Sequence, residues 1–168
     1  MSRTVTLKGK PLPLAGPELK VVDRAPEATL RKDLVTDFKL SQTSGKPRIL
    51  SVVPSLDTPV CAEQTKRFNK EAASLPKVDF YTISCDLPMA MKRFCGVEGV
   101  NPERIQVLSD HKDLAFGKAY GTLVPDLRVL CRAVFVVDAH DKLRYVEYVP
   151  EIANHPNYEA VLACARQL

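Results

Sequence analysis

The sequence predicts an α/β sandwich, a mixed central sheet flanked by helices, with an N-terminal β-hairpin. Three observations lead there. Apolar runs of strand length alternate with helical stretches through the first half of the chain. Two more strands joined by a short polar turn follow, and a helix closes the chain. The 168 residues show no repeat, low-complexity tract or long linker, so residues 1–168 read as one domain.

The elements follow in order. Thr4 to Leu7 alternates polar and apolar residues, Gly9-Lys10-Pro11 interrupts it, and a second extended stretch runs to Leu14, which makes the hairpin. Residues 17–33 carry Pro17 and Pro26 and look irregular, and Phe38 to Leu40 suits a short strand. Arg48 to Val53 is a buried-strand pattern ended by Pro54, and a helix is expected from about Val60 to Ser74. Val78 to Ser84 is a second apolar strand. Pro88 to Phe94 reads as a short helix, with proline suited to its first turn. Gln106 to Leu108 is a short strand, and 111–119 look helical up to Gly121. Arg132 to Asp138 is the strongest strand, Ala139 to Lys142 a turn, and Leu143 to Val149 its partner. Asn157 to Arg166 forms the last helix with Asn157 as cap. A βαβ unit followed by ββα is the thioredoxin-like arrangement.

Composition narrows the function. Apolar residues make up 45% and charged residues 26%, and the net charge is +4, ordinary for a globular protein. No run of five Lys or Arg occurs, so nucleic acid is not an expected partner. Neither a signal-peptide core nor a stretch of ~20 apolar residues is present, so membrane insertion is not expected and the cytosol is the default compartment. There the five cysteines, Cys61, Cys85, Cys95, Cys131 and Cys164, do not form a disulfide framework. Without a CxxC or close ligand pairs they do not suggest zinc either. His111, His140 and His155 read as exposed surface residues.

The informative stretch is Ile49 to Phe68, in which a buried strand runs into a loop and the loop into a helix whose first turn holds Cys61. The first N–H groups of a helix are unsatisfied and partly positive, and they favour thiolate over thiol. They can also hydrogen-bond an oxygen atom of a bound ligand. Thr58, three residues before Cys61, has a hydroxyl able to accept from a ligand O–H and donate to a thiolate. Pro54 ends the strand and is placed to shield the sulfur from water. On residues alone, a cysteine that merely packs in a strand–helix turn fits about as well.

The segment Pro54-Ser-Leu-Asp-Thr58-Pro-Val-Cys61 resembles the Pro-x-x-x-Thr-x-x-Cys motif of peroxiredoxins, and its fuller form resembles the thiol peroxidase subfamily (atypical 2-Cys peroxiredoxins). Arg93-Phe-Cys95-Gly-Val-Glu-Gly99 is similar to that subfamily's resolving-cysteine segment, Arg132 to Asp138 to the strand bearing its active-site arginine, and the N-terminal hairpin also matches. The resemblance spans about residues 1–165 and implies a thioredoxin-like fold, commonly a homodimer. It implies that Cys61 is the peroxidatic cysteine, that Thr58 and Arg132 position and polarise the peroxide, that Pro54 covers the sulfur, and that Cys95 resolves the sulfenic acid as an intramolecular disulfide. Hydrogen peroxide and organic hydroperoxides are the implied substrates and a thioredoxin-type dithiol the implied electron donor, with no metal, haem or flavin cofactor.

The chemistry then makes its own demands. A disulfide needs Cα atoms within about 7 Å, and the two cysteines lie in different segments, so one or both are expected to unwind before closure. The glycines at 96 and 99 weaken helix continuation. Cys85, at a strand end where the subfamily usually has a small unreactive residue, reads as an inert core cysteine, with a competing thiol as the alternative. Cys131 is expected on the sheet face opposite Arg132, and Cys164 packs in the last helix. Met89, Phe94 and Tyr81 suit core or dimer contacts, or an apolar entry for larger hydroperoxides. Asp57 and Glu63 either set nearby cations or are solvated. Gln64 fits a hydrogen-bonding role in the site and an exposed helix position equally. Two other readings remain: a disulfide oxidoreductase on the same fold, disfavoured by the missing CxxC, and a non-catalytic redox-sensing module.

Overall fold

Two neighbouring strands of the sheet are buried along their whole length. In the computed structural model, which describes residues 2–168, these are β5 (Arg48–Val52) and β10 (Ala133–Val137). Such continuous apolar runs belong to strands covered on both faces. Between them and the N-terminus lie the hairpin strands β1 (Thr4–Leu7) and β2 (Lys10–Pro13), then β3 (Thr29–Arg31) and β4 (Asp37–Lys39). After β5 come α1 (Pro59–Ala72), β6 (Asp79–Ser84), α2 (Pro88–Glu98), β7 (Ile105–Ser109), α3 (Ala115–Ala119), β8 (Leu123–Val124) and β9 (Val129–Leu130). Following β10 are β11 (Leu143–Tyr148) and α4 (Tyr158–Arg166).

The main sheet has the order β11-β10-β5-β6-β7-β3-β4. Its centre β5-β6-β7 is parallel, with α1 and α2 as crossovers, and the outer pairings are antiparallel. This is the thioredoxin-like mixed sheet that the sequence predicts, with the hairpin β1–β2 attached to it.

Alternating side chains divide the core. Ile49, Phe80, Ile105, Val134 and Val136 face α1 and α4, where Phe68, Val161 and Leu162 cover them. Leu50, Tyr81, Leu108, Phe135 and Val137 face the other side, under Phe116 and Tyr120 of the α3 region and Val5 and Leu14 of the hairpin. Phe135 is the hub there, its ring edge-on to Phe116, Tyr120 and Tyr148 at 6.5, 5.2 and 5.5 Å between centroids.

Sequence and structure differ at short elements. Residues 17–33 are not wholly irregular, because Thr29–Arg31 pairs with β4 and β7; a three-residue strand depends on its neighbours for its identity. The two-residue strands β8 and β9 are likewise set by pairing. Helix α3 begins at Ala115, later than the sequence suggests, because the buried Asp110 carboxylate accepts the N–H groups of Phe116 (3.0 Å) and Gly117 (2.8 Å). Helix α2 runs past Phe94 and Gly96 to Glu98, and Gly99 ends it in the left-handed region (φ 67°). The Asn157 cap is present, its side chain accepting from Ala160 N at 3.1 Å. Among the described residues no helix is long and apolar enough to cross a membrane.

Phe135→Ala empties the hub of the lower core. It is expected to cost about 3–5 kcal/mol, measured as the drop in unfolding free energy in urea.

Candidate active site

Sequence dictates where the site begins. Pro54 follows β5 and cannot continue its ladder, and Pro59 takes the first helical position of α1, where its missing N–H costs nothing. The loop between, Pro54 to Thr58, therefore delivers Cys61 into the first turn of α1. Asp86, at the end of β6, holds that loop down: its carboxylate accepts from Ser55 Oγ, Leu56 N and Ser84 Oγ, each at 2.7 Å.

Cys61 is fully buried. Val53, Leu56 and Met91 pack around it, with Phe94 and Val107 behind. Into this apolar setting comes one charge. Arg132, 2% exposed, precedes β10 and donates from Nη2 to Cys61 Sγ at 3.3 Å. Its other two nitrogens are also engaged, Nη1 with Gln64 Oε1 at 2.8 Å and Nε with the Ile152 carbonyl at 2.9 Å, while Nη1 and Nη2 each keep a second N–H. Gln64 is itself fixed, donating from Nε2 to Ser51 Oγ on β5 at 2.7 Å. Of the two positions open to Gln64, the buried hydrogen-bonding one is correct. Removing its side chain leaves a buried guanidinium N–H without a partner, a cost of about 1–3 kcal/mol.

The remaining candidates are placed less uniformly. Thr58 is the exposed residue just before α1, and its hydroxyl donates to the Ser55 carbonyl at 2.8 Å. That leaves its oxygen lone pairs to accept from a ligand, but the O–H is turned into the loop and not toward Cys61. Pro54 is half-buried at the end of β5. Cys95 sits in the last turn of α2, half-buried and packed with the α1–α4 side of the core, its thiol raised by burial. Phe94 touches both that cluster and the one around Cys61. A cavity of about 340 Å³ lies between the loop residues Ser55 to Asp57 and the α2 residues Arg93, Phe94 and Val97.

The other thiols are set apart chemically. Cys85 packs against the lower core, and burial, with the nearby Asp110 and Asp86 carboxylates, pushes its thiol up to about 12. Cys131 points to the sheet face opposite Arg132, and burial pushes it up to about 12 as well. Cys164 packs at the α4 surface of the core. His140 and His155 are exposed, whereas His111 is half-buried. His155 bridges two elements, with Nε2 3.1 Å from Glu63 and Nδ1 2.7 Å from the Tyr158 hydroxyl. Met91, Ser51, Asp86 and Ile152 escaped the sequence reading. Each acts through a partner remote in the chain, and no local pattern marks it.

Comparison with known proteins gives a consistent picture. The Redoxin family model matches residues 20–162. The thiol peroxidase of Halalkalibacterium halodurans is 49% identical over 163 residues, 97% of each chain. That of Bacillus subtilis is 48% identical over 164 residues, 98% of this chain and 97% of the relative. The crystal structure of a peroxiredoxin-like protein from Aquifex aeolicus superimposes with a TM-score of 0.90 at 42% identity, covering 99% of this chain and 98% of that one. A thiol peroxidase from Chromobacterium violaceum shares the fold, with a TM-score of 0.87 at 21% identity over 98% and 95% of the two chains.

With Cys85 and Cys131 held near 12, little thiolate exists at pH 8. Iodoacetamide is expected to modify both roughly a thousandfold more slowly than an ordinary exposed cysteine. Their reactivity should still be rising at pH 10, as timed peptide mass spectrometry would record.

Proposed function

We infer how this chain works from the family to which it belongs: it is a member of the Redoxin family and a thiol-dependent peroxidase of the peroxiredoxin type. Within that activity we assign Cys61 as the residue that attacks the peroxide. The observation that carries the assignment is the buried contact of 3.3 Å between Arg132 Nη2 and Cys61 Sγ. Among the described residues no carboxylate pairs with Arg132, so the sulfur is the one partner able to carry negative charge. A guanidinium always carries charge, and one of its nitrogens is aimed at the sulfur.

The proposed reaction proceeds in three steps. The Cys61 sulfur attacks one oxygen of hydrogen peroxide or an organic hydroperoxide, the O–O bond breaks, and the departing oxygen leaves as water or alcohol after taking a proton. Arg132 and the first N–H groups of α1 stabilise charge on that oxygen, which is where preorganised donors contribute most. Thr58 accepts from the peroxide O–H, and Pro54 limits water at the sulfur. Cys61 is then a sulfenic acid. Cys95 attacks its sulfur, water leaves, and an intramolecular disulfide forms. A thioredoxin-type dithiol reduces that disulfide and restores both thiols.

The second step needs movement. Cys95 belongs to the last turn of α2, where its carbonyl accepts from Gly99 N and Val100 N. Gly96 and exposed Val97 lie within that turn, and helix ends open at low cost. Burial disfavours the Cys95 thiolate in the closed helix, so the same opening that brings the thiol to Cys61 also makes it nucleophilic. Residues 1–168 acting as one domain, pairing as a homodimer in the cytosol, completes the reading.

A peroxide-consumption assay coupled to a thioredoxin system tests it. Cys61→Ser is expected to lose all peroxidase activity, and Cys95→Ser to complete one turnover and stop at the sulfenic acid. Sustained turnover by Cys61→Ser would refute the assignment.

A further inference from the structure

The site's arginine is held by a segment that is itself held by the N-terminal hairpin, and one half-buried carboxylate makes that second attachment. Residues Val149 to Ile152 clasp Arg132 twice. Val149 N donates to the Arg132 carbonyl at 2.9 Å, and the Ile152 carbonyl accepts from Arg132 Nε at 2.9 Å. Between them lies Glu151. Its side chain reaches away from the site to β1 and the turn after it, accepting from Thr6 Oγ1 (2.8 Å), Lys8 N (3.0 Å) and Gly9 N (3.2 Å).

Both backbone N–H groups of that turn donate to the carboxylate. Lys8 and Gly9 both have positive φ, 50° and 77°, as a two-residue hairpin turn requires. Lysine adopts this conformation at a cost that glycine escapes. With both N–H groups directed at one carboxylate, the turn becomes a small anion-binding concavity. Backbone bonds run alongside: Thr6 N to the Pro150 carbonyl at 2.7 Å, and Ile152 N to the Thr6 carbonyl at 2.8 Å. The Glu151 carboxyl is held down to about 2, chiefly by the Thr6 hydroxyl and further by the N–H groups of Gly9, Ala153 and Lys8. It is therefore an ionised acceptor at neutral pH. The hairpin, β1 to β2 over residues 4–13, precedes the residues that the Redoxin model matches.

We propose that Glu151 is a positioning residue for the peroxidase reaction: by tying the hairpin to the Pro150–Ile152 segment it fixes the Ile152 carbonyl, and through it the direction in which the Arg132 guanidinium meets Cys61 and the peroxide. The hairpin is thus part of the site's support, although none of its residues touches the sulfur. The inference rests on the role assigned above to Arg132, and the test separates the two.

The readout is the second-order rate constant for Cys61 oxidation of the fully reduced protein by hydrogen peroxide, followed by rapid quench and mass spectrometry because the chain contains no Trp. Arg132→Ala is expected to slow it by about a hundredfold or more, the scale of losing one oxyanion-stabilising donor. Glu151→Ala is expected to slow it by roughly tenfold, since small misplacements of a catalytic group are costly. Glu151→Gln, which keeps one acceptor oxygen, should fall between Glu151→Ala and wild type. The subsequent rate of disulfide closure should be unchanged in both Glu151 variants. Circular dichroism confirms folding, and Glu151→Gln keeps the test open if Glu151→Ala does not fold. A slow Arg132→Ala with Glu151 variants that are less stable but oxidise at the wild-type rate overturns the inference and leaves the site intact. A wild-type rate in Arg132→Ala removes the reading beneath it, and the inference with it.

Discussion

A buried guanidinium bonded to a buried sulfur is the constraint around which this molecule is arranged. Removing a charge from water is expensive unless its hydrogen-bonding capacity is met. Arg132 meets that demand with a carbonyl, an amide and a thiol, from the segment after β11, from α1 and from the active-site turn. The partners that meet it are fixed in turn, Gln64 by Ser51 and the active-site loop by Asp86.

Firm and loose regions sit side by side for a chemical reason. The proposed attack by Cys61 gains from a donor set already in place when charge develops. The proposed resolution by Cys95 requires two sulfurs in different helices to meet. Rigid support is accordingly concentrated on β5, the start of α1 and Arg132. Cys95 lies in the last turn of α2, which Gly99 ends and which the exposed Lys66–Glu98 pair at 3.1 Å joins to α1. Exposed pairs of this kind contribute little, so they hardly resist opening.

Much of this was legible in the sequence. Strands β5, β6 and β10 announce themselves by length and apolar content, and Pro54, Pro59 and the Thr58–Cys61 spacing place the thiol at a helix start. Arg132 stood out beside a continuous apolar run. What could not be read was every link made across the chain. Gln64 is one of several polar residues on α1, and only its partners on β5 and beside β10 distinguish it. Glu151 looks like any loop carboxylate until the Lys8–Gly9 turn is seen against it. Strand β3 has three residues and no pattern of its own. The end of α2 was misjudged because Gly96 and Gly99 look alike in sequence. Gly96 is absorbed into the helix, and Gly99 terminates it through a positive φ.

Cys61 and Cys95 are proposed to form the reactive pair, and peptide mapping under non-reducing conditions, after the reduced protein meets one equivalent of hydrogen peroxide, tests that pairing. A Cys61–Cys95 disulfide that is absent in Cys61→Ser is expected. A Cys61–Cys85 disulfide, or a Cys61 that stays reduced while peroxide is consumed, would contradict it.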